Sequence, residues 1–313
     1  MALGILFAVL VGFSWVVTGA VVGLAEKRGY GAWRHQFVYT AMYGAVATVL
    51  LCAGAALRPG TPAFSLRFNP VPAILVALWG VFSYAQNICV GRGMRTGPNG
   101  IVWTIAQSGF VLPVVMGFAL GNTPFTALRA TGVLCVLLGV ALCGRAKGGA
   151  TVHRAAGGGG WLVPSLLAFL FCGLNQCAQA LASFYPEEVR PSPLVRVLCG
   201  ALGVLAAVAA HRVFHNPGAA GDGDAPAPRR YGFLLKICAV NAVFFFLAGF
   251  CFHYNALDRL EAAGRISVAN PVMLAACLAG FAIYGAVALR EKPPPLQFAG
   301  TAATVLGAAL IAA

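Results

Sequence analysis

Charged side chains are scarce in this chain. Asp, Glu, Lys and Arg make up 9% of its 313 residues, whereas 60% are hydrophobic. A soluble domain averages roughly a quarter charged residues, and a folded protein of this size cannot hide so much apolar surface from water. The apolar residues form blocks of about 18–25, the length of a helix that crosses a bilayer. The scarcity of charge therefore excludes a soluble protein and predicts an all-α, polytopic membrane protein.

Carboxylates are missing from the interior of these blocks. All eight acidic residues lie at block ends or between blocks: Glu26, Glu187, Glu188, Asp222, Asp224, Asp258, Glu261 and Glu291. An acid in the middle of a membrane is costly, and where one occurs it usually marks a path for a proton or a cation. The sequence provides no such acid.

The residue clusters that enzymes and metal sites require are also missing. The ten cysteines fall inside apolar blocks, with no CxxC pair and no Cys/His cluster at zinc spacing. No block contains paired acids, a His/Asp set or a nucleophile beside a base. We therefore predict no catalytic residue, no metal and no cofactor.

The apolar blocks predict about ten membrane spans. We place them at residues 2–24, 35–57, 70–91, 98–120, 124–144, 161–183, 192–213, 232–254, 266–289 and 296–313. A Gly-rich linker, residues 147–160, separates a first five-helix half (1–146) from a second (161–313).

The net charge of +13 comes from 21 basic residues that stand singly or in pairs between the apolar blocks. No basic stripe with interleaved aromatics suggests nucleic acid, and basic residues beside a bilayer meet anionic lipid headgroups. Fourteen of the 21 belong to the odd-numbered connections between spans. The positive-inside tendency therefore predicts cytoplasmic odd connections and both termini outside.

A glycine spacing relates the two halves. Gly132 and Gly139 in the fifth span are seven residues apart, as are Gly300 and Gly307 in the tenth. The resulting offset of 168 residues aligns Asn87 with Asn255 and Asn99 with Ser267. Small residues seven apart share a helix face and allow close backbone approach. Because five is an odd number, a duplicated half must cross the membrane inverted, which is an architecture of transporters.

The ends of the halves resemble a known family. The segment 288–307 reads Ala-Leu-Arg-Glu-Lys-Pro-Pro-Pro-Leu-Gln-Phe-Ala-Gly-Thr-Ala-Ala-Thr-Val-Leu-Gly. It is similar to the end of an EamA-type domain of the drug/metabolite transporter superfamily, where a helix closes with Leu-x-Glu-Lys/Arg and the last helix opens with Gln-x-x-Gly. The first half has the related sequence Leu120-Gly-Asn-Thr-Pro124, but carries Asn122 where the family commonly has Glu.

This resemblance implies ten helices in two inverted repeats and transport of a small metabolite, such as a sugar or an amino acid, by alternating access. The small multidrug members of the superfamily depend on a Glu in the first span, where this chain has Ser14, Trp15 and Thr18. A cation/proton antiporter of that type is therefore not expected.

Neutral polar and aromatic residues recur at helical spacing within the spans. Amides donate and accept hydrogen bonds and stack against aromatic rings, which suits an uncharged or zwitterionic solute. The alternative is that the amides only join helices to one another. As substrate-binding residues facing one cavity, we predict Trp15, Gln86, Asn87, Trp103, Gln107, Asn175 and Asn255.

The predicted function is transport of a small polar metabolite across the cell membrane by an integral, multi-pass protein. Without a buried carboxylate, facilitated diffusion or exchange is expected, and His253 is the one group proposed for proton coupling. A proton-coupled symporter or exporter of the same fold, and a membrane protein that does not transport, are the alternatives. Both a monomer and a homodimer are compatible with the sequence.

Overall fold

The structure is a computed structural model that describes residues 1–58, 61, 68–120, 124–145, 160–183, 185–186, 188–214, 231–261, 269–290 and 294–313. Some sequence predictions fall outside these residues. They are Asn122, Ser267, the Glu291–Lys292 turn and all of the linker except Gly160.

Every regular element in the described residues is helical. The helices are α1 (Ala2–Lys27), α2 (Ala32–Leu57), α3 (Pro70–Thr96), α4 (Asn99–Gln107), α5 (Val111–Ala119), α6 (Ala127–Arg145), α7 (Leu162–Ser183), α8 (Pro193–Phe214), α9 (Tyr231–Phe246), α10 (Tyr254–Glu261), α11 (Ala269–Val287) and α12 (Pro295–Ala312).

Two pairs of helices are continuous through a short irregular turn. A 3-10 turn, Ser108–Phe110, joins α4 to α5 just before Pro113. Proline has no N–H to donate and disturbs the preceding turn, which favours this local change. A π-helical turn, Leu247–His253, joins α9 to α10.

Nine helices of the described chain are long and apolar enough to cross a membrane, with α4 and α5 counted as one. The helix predicted as the eighth span differs. Its regular α-helical part, α9, has 16 residues, and the chain then continues through the π turn to Glu261, seven residues beyond the predicted end. The chain is therefore a multi-pass membrane protein by length and composition, and the count of ten spans stays a prediction.

Helix ends follow local sequence signals. The Asn69 side chain accepts a 3.1 Å hydrogen bond from the Val71 N–H, directly before α3, and Pro70 occupies the first helical position. This arrangement satisfies a donor that the helix leaves unpaired. At its other end α3 continues five residues beyond the predicted boundary, to Thr96.

The glycines singled out in the sequence form the contact between α6 and α12. A Cβ added at Gly132 would lie 2.7 Å from the Gly307 carbonyl oxygen, and one added at Gly139 would lie 2.6 Å from that of Gly300. The two helices run antiparallel, so each glycine of one pair faces a glycine of the other. Backbone approaches this close leave no room for a side chain.

Large apolar side chains cover the outside of the bundle. Leu134, Val163, Leu202 and Ile283 are each more than half exposed. Inside, α3 packs against α7 and α8, while α1 packs against α11 and against the segment from α9 to α10. Lipid would contact the apolar outer faces, whereas the buried polar residues Thr18, Gln86, Asn87, Gln107, Asn175 and Asn241 lie on α1, α3, α4, α7 and α9.

Candidate functional site: a polar cavity within the bundle

A cavity of about 100 Å³ lies among α1, α2, α3, α4, α7, α8, α9 and the π turn. This volume is several times that which one water needs. The lining residues are Trp15, Thr18, Tyr39, Trp79, Ser83, Gln86, Asn87, Trp103, Gln107, Cys172, Asn175, Gln176, Gln179, Val197, Phe245, Phe246, Ala248 and His253.

Six of the seven predicted binding residues line this one cavity. They are Trp15 of α1, Gln86 and Asn87 of α3, Trp103 and Gln107 of α4, and Asn175 of α7. The helical period explains why Trp103 and Gln107 share a face, because residues three and four apart lie on one side of an unbroken helix. Packing of α3 against α1 and α7, and of α4 against α7, brings the other residues to the same cavity. Their role as substrate ligands stays a prediction.

Asn255 is the exception. It lies in α10, its side chain is exposed, and it is not part of the cavity wall. An unbroken α-helix would place it on the same face as Asn241 and Phe245. The π turn lies between these residues and Asn255, and its hydrogen bonds run from i to i+5 rather than i to i+4. The 3.6-residue register of α9 therefore does not continue into α10.

His253, the residue proposed for coupling, lies at the end of the π turn and lines the cavity. Its ring centroid is 6.4 Å from that of Trp15, with the rings edge to face. The described structure therefore places an ionisable group against the indole of a predicted binding residue.

Hydrogen bonds between helices position the amides. Asn175 Nδ2 donates to Gln86 Oε1 at 2.9 Å and so connects α7 to α3. Gln107 Oε1 accepts a weak bond from the Cys172 thiol at 3.8 Å, which connects α4 to α7. Asn87 Nδ2 donates to the Ser83 carbonyl within α3 at 3.0 Å. The amides thus join helices, as the alternative interpretation requires, while their side chains also line the cavity.

Aromatic rings form the rest of the wall. Trp79 stacks on Phe245 with a centroid separation of 6.3 Å and an interplanar angle of 10°. Trp103 stacks on Phe281 at 5.2 Å, and its indole N–H donates to Cys277 Sγ at 3.4 Å. Both indoles are therefore held by ring stacking, which fixes the flat surfaces that they present to the cavity.

No Asp, Glu, Lys or Arg belongs to the described wall of the cavity. The wall provides amides, hydroxyls, indoles and one imidazole. A solute that carries a full net charge would lose its hydration without meeting an opposite charge, which is expensive in a low-dielectric interior. The cavity thus suits a solute with hydrogen-bonding groups and little or no net charge.

Tyr39 of α2 also lines the cavity, although the sequence analysis did not select it. A signal was present: His35, Tyr39 and Tyr43 are spaced by four residues in the second span. His35 stacks on Tyr39 at 5.1 Å, and the ring centroids of Tyr39 and Tyr43 are 5.4 Å apart. This stripe brings α2 into the site.

No family model matches the sequence, and no curated protein sequence matches it. The fold matches fifteen chains of solved structures. One of them, the crystal structure of a protein, aligns with a TM-score of 0.53 over 97% of this chain and 97% of its own, at 17% sequence identity. A likeness at this level of identity concerns the fold alone.

Proposed function

We propose that this chain is a membrane transporter that moves a small polar solute through the central cavity by alternating access. The observation that carries the proposal is the cavity itself, where amides from both halves of the chain converge with indoles of the first half. A solute site between the two halves is the arrangement found in transporters with inverted repeats.

The pattern of helix packing supports two inverted five-helix repeats. The contact of α1 with α11 has its counterpart in the contact of α7 with α4 and α5. The contact of α3 with α7 likewise has its counterpart in the contact of the segment α9–α10 with α1. Helix α3 also packs against α8 as α9 packs against α2. Two further contacts, α2 with α8 and α6 with α12, each join helices at the same position of the two proposed repeats. This is the regularity expected of an internal two-fold axis.

The proposal extends to the drug/metabolite transporter superfamily. The resemblance of segment 288–307 to an EamA-type end supports it. The antiparallel contact between the Gly132–Gly139 and Gly300–Gly307 pairs is consistent with it, because these glycines occupy corresponding positions in the two halves. We propose the cell membrane as the location.

An uncharged polar solute, such as a sugar, or a small zwitterion is the proposed cargo. The absence of a carboxylate in the described cavity wall favours facilitated diffusion or exchange. One observation favours the alternative of proton coupling, namely the position of His253 in that wall. Uptake driven by a pH gradient alone, present in the wild type and lost in His253→Gln, would support the alternative.

Ligand binding tests the proposal even before the cargo is identified. Protein purified in detergent is screened by thermal shift against sugars, polyols, amino acids and nucleosides. A genuine cavity ligand raises the melting temperature of the wild type, but not that of Gln107→Leu. Thr131→Val on the exposed face of α6 is the matched control and should respond like the wild type. An equal rise in melting temperature in all three proteins would mean that the ligand binds outside the cavity.

A further inference from the structure

A buried hydrogen-bonded chain leads from the cavity wall to α2. Thr18 of α1, which lines the cavity, donates from Oγ1 to Asn241 Oδ1 of α9 at 2.9 Å. Asn241 Nδ2 lies 3.3 Å from His35 Nε2 of α2. Asn241 and His35 are fully buried and Thr18 is 8% exposed. Three helices are thus joined by three polar side chains, of which only Thr18 reaches the cavity.

An amide between two partners couples their hydrogen-bonding roles. Asn241 has one donor group and one acceptor atom, and each faces one partner. When its oxygen accepts from Thr18, its NH₂ faces His35, so His35 Nε2 must be an unprotonated acceptor. When Nε2 carries a hydrogen, the amide must turn end for end, and its NH₂ then donates to Thr18.

The two arrangements present different groups to the cavity. In the first, the only hydroxyl hydrogen of Thr18 is used on Asn241, so Thr18 provides the cavity with lone pairs alone. In the second, Thr18 Oγ1 accepts from Asn241, and its hydrogen is free to donate to a solute. The state of His35 therefore determines whether Thr18 is an acceptor or a donor in the site.

Titratable groups beside His35 lie on α2 and α9, and Glu26 of α1 contacts the start of α2. Tyr39 of its own helix stacks on the ring, and the Cys238 thiol of α9 donates to the His35 carbonyl oxygen at 3.7 Å. From α1, the Glu26 carboxylate accepts from the Ala32 N–H at the start of α2, and Arg92 and Arg95 of α3 lie near that carboxylate.

His35 is fully buried but lies nearer a helix end than Thr18 does. It is the fourth residue of α2, one turn from the end of the helix, whereas Thr18 lies nine residues inside the end of α1. His35 Nδ1 is buried and has no hydrogen-bond partner within the described chain. Nδ1 therefore makes no hydrogen bond that would hold Nε2 in either its protonated or its unprotonated form.

We propose that Thr18, Asn241 and His35 form a proton-sensitive relay that switches the hydrogen-bonding polarity of the cavity. A hydronium ion gives up one proton and becomes water, an N–H bond forms at His35 Nε2, and the imidazole becomes a cation. The Asn241 amide then turns, and the Thr18 hydroxyl is released to donate into the cavity. The relay makes solute recognition depend on pH and rests on the proposed function of the cavity as a solute site.

The test is an NMR titration of the whole purified protein without ligand, from pH 8 to pH 4. Histidine ¹⁵N signals report the protonation of His35, and His35→Gln assigns them. The ¹³C signal of the Thr18 methyl group reports the other end of the relay. The relay predicts that the Thr18 methyl signal shifts with the same midpoint as His35 in the wild type.

Two variants break the chain at different points. In Asn241→Leu, His35 should still titrate while the Thr18 shift is lost. In His35→Gln the Thr18 shift should be lost as well, and this variant serves if Asn241→Leu does not fold. A Thr18 methyl signal that does not shift with the midpoint of His35 in the wild type would overturn the relay. A Thr18 signal that still shifts with pH in His35→Gln would overturn it as well.

Solute uptake by reconstituted vesicles, measured beside the titration, separates the relay from transport. If Thr18 follows His35 but vesicles reconstituted with the protein take up no solute, the relay stands and the proposed function fails. If solute uptake depends on the cavity but Thr18 does not follow His35, the proposed function stands and the relay fails.

Discussion

Replacing Gly139 with alanine is expected to force α6 away from α12. The added Cβ would lie 2.6 Å from the Gly300 carbonyl oxygen and would overlap the Thr304 hydroxyl. Carbon and oxygen atoms in helix contacts normally stay about 3.3–3.6 Å apart. The helices must therefore separate by roughly 0.7 Å at this point, which loosens the packing around Gly132 and Gly307 as well.

Two opposing terms set the size of the effect. Overpacking by a methyl group costs about 1–3 kcal/mol, whereas alanine is favoured over glycine in a helix by about 1 kcal/mol. Gly44→Ala in α2 is the matched control, because its Cβ would meet Ala201 Cβ at an ordinary 3.5 Å. Both variants gain the same helix propensity, so Gly139→Ala should be less stable than Gly44→Ala by about 1–3 kcal/mol.

Thermal unfolding in one detergent, followed by tryptophan fluorescence, compares the two variants. We expect Gly139→Ala to melt below the wild type and Gly44→Ala to melt at or above it. If Gly139→Ala melts as high as Gly44→Ala, α6 and α12 do not meet through their glycines, and the reasoning that connects glycine spacing to this contact is wrong.

Three further predictions concern the cavity and the orientation of the chain. In Gly200→Ala, the new Cβ would lie 2.5 Å from Trp79 Cε3, so the indole must move and binding of any solute found in the thermal-shift screen should weaken. Gln86→Leu and Asn175→Leu should each cost about 1–3 kcal/mol, since each leaves the other amide unpaired; a double variant that costs the full sum of the two in thermal unfolding would show that the amides act independently. A C-terminal reporter active only in the cytosol should remain dark because the odd-numbered connections carry the positive charge, and a bright signal would reverse the orientation.

The sequence was most informative where helices are regular. Trp79, Ser83 and Gln86 in α3, like Trp103 and Gln107 in α4, are spaced by three or four residues and so share a helix face. No irregular turn interrupts either set. Apolar length alone located nine of the predicted spans in the described chain, because the bilayer fixes how many residues a helix needs.

The sequence was least informative where the backbone departs from the α-helix. No residue pattern indicated the π turn at Leu247–His253, which takes Asn255 out of the cavity wall. A π turn depends on the packing of α9 against α1 and α2 as well as on local preference. A single sequence does not reveal which helices are neighbours, so this packing was not predictable.

Tyr39 and the relay residues were missed for a related reason. His35 and Tyr39 are separated by four residues, but polar and aromatic residues near the end of a span also occur at membrane interfaces. Only the position of α2 beside α1 and α9 distinguishes a stripe that faces inward from one that faces the headgroups. The hydrogen-bond partners of Asn241, Thr18 and His35, lie 223 and 206 residues away in the sequence, so local sequence does not indicate its role.

Counterflow in proteoliposomes tests the central claim most directly. Vesicles are loaded with a solute identified by thermal shift, and entry of the labelled solute is measured for the wild type, Gln107→Leu and Thr131→Val. The account predicts saturable entry that is lost in Gln107→Leu, whose side chain lines the cavity, and retained in Thr131→Val, whose side chain lies on the outside. Entry that is unchanged in Gln107→Leu, or absent from the wild type, would contradict a transporter that works through this cavity.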